Sequence, residues 1–149
     1  MRWIIFALAL VLVPTAFAGE GRVIKVLPLY LDNKGRDSLL PSLYERDAYQ
    51  ALLRKHADQR KALRFAIQWK AHKVDWTKTR LVVETRGVEN NAFVNKTSEH
   101  RLHKAGWFSK WENIDISGKD FETMGELAAW RVTLWEGDRK IGEQKSFLW

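Results

Sequence analysis

A mostly β fold, an antiparallel sandwich with one short helix near its N-terminus, is what this sequence predicts. Three observations carry the prediction. From residue 62 to the end the apolar residues recur with a period of two. Turn residues interrupt that pattern at short intervals. Helical spacing with a start signal occurs once, over residues 42–56.

The first eighteen residues read as a cleavable export signal. Met1-Arg2-Trp3 supplies a positive charge, Ile4 to Val13 an apolar run, and Pro14 a break. Ala16-Phe17-Ala18 is a small-x-small cleavage site. The run is about ten residues, half of the roughly 20 that a membrane span needs. Residues 19–149 then form a single exported domain, periplasmic or secreted, with no later stretch approaching a span. The chain has no cysteine. That rules out a lipidated cysteine at the cleavage site, disulfide staples, thiol chemistry and a Cys-ligated zinc, so an ordinary apolar core must hold the domain.

Arg22 to Leu31 reads as a first strand of poor alternation: Val23 and Lys25 share one face, Ile24 and Val26 the other. Pro28 lacks a backbone donor, which favours a sheet edge. Asp32-Asn33-Lys34-Gly35 is a turn. Ser42 is placed to cap a helix over 43–56, with Glu45 three residues on to complete a capping box. Tyr44, Ala48, Ala51 and Leu52, flanked by Leu43 and Leu53, give that helix a thin apolar stripe. Such a short helix needs something to dock on.

Leu63, Phe65, Ile67 and Trp69 alternate with Arg64, Ala66, Gln68 and Lys70, the mark of a half-buried strand. A second such strand spans Thr79 to Arg86, and Gly87 to Asn95 reads as a polar loop. Weaker strands are expected at Thr97–Lys104 and Trp111–Ser117, with a loop or single helical turn over Gly118–Gly125. Ala128, Trp130, Val132 and Leu134 then face one way, and Arg131, Thr133 and Trp135 the other. Gly137-Asp138 suits a type II′ turn into a last strand, Ile141–Trp149. Six or seven short strands and one helix fit an immunoglobulin-like sandwich with the helix in the first crossover. The alternative is an α+β roll, with the helix packed on one curved antiparallel sheet.

Three stretches together resemble a group of small exported bacterial proteins of unassigned activity. They are PSLYERDAYQALLR at 41–54, LRFAIQWKA at 63–71 and AWRVTLWEGDRKIGEQKSFLW at 129–149, about a third of the exported chain. The resemblance implies a β-rich, immunoglobulin-like domain and carries over no catalytic residue.

The formal net charge is +7, or +6 once Arg2 leaves with the leader. This modest excess reads first as a soluble surface of interspersed Lys and Arg, and second as attraction to anionic partners such as acidic glycans or lipid headgroups. No basic tract is dense enough to predict nucleic-acid binding. Catalytic signatures are absent: the sequence has no G-x-S-x-G, phosphate-binding P-loop or H-E-x-x-H. His100 and His103 are three apart in a strand-like stretch, which sends them to opposite faces and argues against a metal. Glu45 and Asp47 lie on different sides of their helix and suit its dipole better than acid–base chemistry. No enzyme activity, cofactor or metal is therefore expected.

Tryptophan is the compositional oddity. Eight are present, seven of them after the leader. Trp69 and Trp130 lie on predicted core faces. Trp76 falls in a loop, Trp107, Phe108 and Trp111 in the run GWFSKW, and Trp135 on an outer strand face. Exposed rings beside polar groups can anchor a protein or stack on a sugar. Trp76, Trp107, Phe108, Trp111 and Trp135 are the candidate binding residues. The function expected is a non-enzymatic interaction domain acting on a protein or envelope component, with carbohydrate binding through these tryptophans as the alternative.

Overall fold

A computed structural model describes residues 19–149; the predicted leader, 1–18, lies outside the described residues. The elements are β1 (Glu20–Asp32), α1 (Leu43–Lys55), β2 (Arg60–His72), β3 (Thr79–Glu89), β4 (Ala92–Arg101), β5 (Lys110–Ser117), α2 (Gly118–Glu122), β6 (Glu126–Glu136) and β7 (Arg139–Lys145). They build two antiparallel sheets, ordered β1-β2-β5 and β4-β3-β6-β7. The chain changes sheets after β2, β4 and β5, the crossing pattern of an immunoglobulin-like sandwich. Two separate sheets exclude the single curved sheet of the roll.

The inner faces share one core. Val23, Val26, Leu63, Phe65, Ile67 and Trp69 from the three-stranded sheet meet Leu81, Val83, Val132 and Leu134 from the four-stranded one. Trp130 is half-buried against Phe65, ring centroids 6.3 Å apart. Among the described residues no helix is long and apolar enough to cross a membrane.

The poor alternation of β1 has a simple cause. Ile24 is a bulge: Val23 pairs with Trp69 and Lys25 with Gln68, so Ile24 has no partner on β2. The extra residue resets the parity and turns both Val23 and Val26 inward. A second bulge, at Ala128 between the pairs Arg86–Ala129 and Gly87–Leu127, brings Leu127 onto the core in place of Ala128. Pro28 is accommodated because β1 is an edge strand.

The helix docks by a face other than the predicted stripe. Gln50 and Leu53 are buried and Arg46 and Tyr49 half-buried, at helical spacing, while Tyr44 is 80% exposed. Ser42 stands at the N-cap with extended backbone, yet its side chain makes no capping hydrogen bond, so the capping box does not form. Docking supplies the missing stability. The Gln50 amide accepts a bond from Tyr30 N at 2.7 Å and donates to Tyr30 O at 2.9 Å and Asp37 O at 2.8 Å, satisfying the free edge of β1.

Residues 87–95 do not form the predicted loop. β3 runs on to Glu89 and turns through Asn90 and Asn91, both with positive φ (50° and 62°), directly into β4. This is a two-residue type I′ hairpin, which asparagine tolerates because its short amide suits the left-handed region. At Gly137 φ is 56° and Asp138 is not left-handed, which matches the predicted type II′ turn.

β1 and β7 meet along one seam. A Cβ on Gly21 would lie 2.6 Å from Ile141 Cδ1, and one on Gly142 3.0 Å from Val23 N. Arg139 donates to Gly19 O at 2.8 Å and Gln144 to Ile24 O at 3.1 Å. Across the opposite seam Lys96 pairs with Asp120 at 2.9 Å and His100 with Glu112 at 3.2 Å.

Asp32 closes the turn after β1. Its buried carboxylate accepts bonds from Lys34 N, Arg36 N, Arg36 Nε and Tyr49 Oη, at 2.8–2.9 Å. Burial alone would raise its pKa; the backbone and side-chain donors outweigh burial and hold it well below the usual carboxylate range. A carboxyl depressed by folding stabilises the native state above its unfolded pKa of about 4 and loses that contribution as pH falls toward the folded value. The wild-type melting temperature should thus fall steadily below about pH 4, and that of Asp32→Asn should fall less steeply. Thermal melts from pH 7 to pH 2 measure the difference, and parallel curves would show that other groups dominate.

Candidate functional site

The outer face of the three-stranded sheet is read directly from its register. Gln68, Lys70 and His72 point outward from β2, between the inward Ile67, Trp69 and Ala71. Trp111 of β5 lies opposite Gln68, which in turn faces Lys25 of β1; Lys70 faces Arg22 and His72 faces Glu20. Side chains on one face of a strand repeat about every 7 Å. Glutamine, lysine and imidazole therefore form a central row, with an aromatic margin on one side and a basic one on the other. A shallow depression of about 380 Å³ lies on the β1 side of this row, lined by Glu20, Gly21, Arg22, Lys70 and His72.

The β4–β5 crossover places the rings. Leu102 and Ala105 are buried in the core, and Leu102 N donates to Thr79 O at 3.0 Å. These anchors close the end of the sandwich and bring the next residues to the margin of the outer face. Trp107 meets His72 edge-on, with centroids 4.8 Å apart. Gln68 Nε2 donates to Ser109 Oγ at 3.1 Å. Trp107 is 74% exposed, Phe108 85% and Trp111 50%.

The remaining two candidates lie elsewhere. Trp76 sits half-buried at the same end of the sandwich, packed on Trp69 with centroids 6.2 Å apart, as part of the core. Trp135 does occupy an outer face, as its parity predicts, but that of the other sheet. Its indole donates to Thr133 Oγ1 at 2.8 Å and Arg80 lies 5.6 Å from its ring. Nearby, Arg86 and Arg131 approach the Trp149 ring at 4.3 and 4.8 Å, and Arg131 is held by Glu84 in a two-pronged ion pair. Three of the five predicted residues thus come together, and two do not.

Sequence reasoning passed over Arg22, Lys25, Lys70 and His72. Gln68 and Lys70 already showed the outward parity of β2, but their neighbours depend on strand pairing, which the bulge at Ile24 shifts. Among the described residues, no cluster of histidine and carboxylate side chains is arranged to hold a metal. The face can offer hydrogen bonds, positive charge and stacking surface. No protein-family model matches the chain, and neither does any curated protein or solved structure.

Proposed function

We propose that this protein is an exported, non-enzymatic binding domain that engages a component of the cell envelope through the outer face of its three-stranded sheet. One observation carries the reading: Trp107, Phe108 and Trp111 are each at least half-exposed, and their segment is tied to the sheet by the His72 contact and the Gln68–Ser109 bond. Large rings left in water, beside aligned polar side chains, are typical anchors of a recognition surface. The leader-like residues 1–18 support the exported, periplasmic or secreted, location in this reading.

The test compares residues 19–149 with the triple variant Trp107→Ala, Phe108→Ala, Trp111→Ala. Exposed positions contribute little to folding, so the variant should keep its stability within about 1 kcal/mol. Acrylamide should quench its tryptophan fluorescence less, because two exposed indoles are gone. In affinity capture from envelope extract, a component retained by the native domain and lost with the variant is the expected result. Equal retention by both proteins would overturn the reading.

A further inference from the structure

We propose that the ligand of this face is an acidic polysaccharide, with sugar rings stacked on Trp107 and Trp111 and carboxylates held by Arg22, Lys25 and Lys70. This rests on the aromatic face being the binding surface and adds the chemical class of what it binds.

Charge supplies the first argument. Among the described residues Arg22, Lys25 and Lys70 take part in no ion pair, whereas Arg64, farther along the same face, is neutralised by Asp115 through two bonds of 2.7 and 2.8 Å. The crossover that carries Trp107 and Phe108 adds Lys104 and no acid. Unpaired cations clustered beside a depression raise the local concentration of anions. Glu20 tempers this at one end of the strip only.

The make-up of the face supplies the second. A protein interface has a core depleted in lysine and rich in apolar contact. Here the centre is Gln68, Lys70 and His72, and the rings stand at the margin. Insertion into a bilayer would need the rings to lead, with the cations behind them at headgroup level. Instead Trp107 packs against His72 of the central row, ring centroids 4.8 Å apart. A row of donors with indole rings along one margin and cations along the other suits a flat, hydroxyl-rich, charged chain, which uses stacking and hydrogen bonds together.

The probe is polygalacturonate, with its methyl ester as a neutral polymer of the same backbone, and vesicles of phosphatidylglycerol as the membrane arm. Titration calorimetry on residues 19–149 should show binding to polygalacturonate that weakens with added salt. Trp111→Ala and the pair Arg22→Gln, Lys70→Gln should each weaken it about tenfold, as losing roughly 1.4 kcal/mol would. Trp135→Ala, on the other sheet, should leave it unchanged, and thermal melts confirm that each variant is folded. Equal binding of the methyl ester would overturn the acidic class while leaving the aromatic face as the binding surface. Binding to vesicles but not to polygalacturonate, lost in Trp111→Ala, would do the same. Failure of polygalacturonate to bind, with envelope capture still dependent on the rings, overturns the inference alone. If the ring variants alter neither capture nor polymer binding, the inference and the function proposed above fall together.

Discussion

Gly87→Ala should cost about 4 kcal/mol or more, at the top of the range for single substitutions. Gly87 lies on β3 opposite the Ala128 bulge, where the chain returns from α2. A Cβ there would sit 1.8 Å from Met124 O and 2.8 Å from Met124 C. The obstacle is backbone, which cannot rotate away as the tip of a side chain can. Met124 is itself fully buried, so its segment cannot retreat without opening the core. Next to it Gly125 has φ 70°, and a Cβ on it would lie 2.1 Å from Val88 O. The two glycines thus allow the 124–125 backbone and the end of β3 to touch. Small domains are stable by about 5–15 kcal/mol, so the variant is expected to be marginal or unfolded at 37 °C. Urea denaturation followed by tryptophan fluorescence gives the value, and a loss below about 1 kcal/mol would show that the end of β3 yields freely.

Arg60→Ala should cost about 3 kcal/mol, because Arg60 holds three structures at once. Its side chain is only 6% exposed. Nε donates to Leu53 O at 2.5 Å and one terminal nitrogen to Arg54 O, so the guanidinium satisfies carbonyls that the last turn of α1 leaves open. The other terminal nitrogen reaches Glu126 Oε1 at 2.5 Å, at the start of β6. The guanidinium carbon also lies 4.4 Å from the centre of the Tyr30 ring. Truncation strands those helix carbonyls and exposes one side of Tyr30. Arg60→Lys should recover less than half of the loss, since one ammonium cannot match the planar fork. Hydrogen exchange separates this from a general weakening: the amides of 52–56 should exchange faster relative to those of β3 and β6. Uniform acceleration across the domain would refute the helix-anchoring role.

The parts of this fold that periodicity reveals are those where one strand face meets the core without interruption. Leu63, Phe65, Ile67 and Trp69 are such a case, each 0–1% exposed. β1 hides its pattern because the bulge at Ile24 resets it midway. β4 shows none because it is an edge strand whose side chains are all at least partly exposed, so no selection for apolar alternation acts on it. The docking face of α1 escapes notice for a different reason: Arg46 and Gln50 are two of its four positions, and it attaches through hydrogen bonds to β1 as much as through burial. At the candidate site the rings stand out in composition; Trp107 and Phe108 are exposed on the crossover, and Trp111 on the outer face of the edge strand β5. Arg22 and Lys25 do not stand out, because only the register of β1 against β2 brings them beside Lys70. Trp76 illustrates the converse: a tryptophan in a loop folds back on Trp69 because the end of a sandwich needs a lid.

The seam between β1 and β7 has a mechanical consequence. Its side-chain bonds join Gly19 to Arg139 and Ile24 to Gln144, so residue numbers rise together along both strands and the two run side by side in the same direction. A force drawing residue 19 away from residue 145 would therefore slide the strands past one another along their length. Both bonds, together with the tight fit of Gly21 under Ile141, would bear that load at the same moment instead of parting one after another like the teeth of a zip.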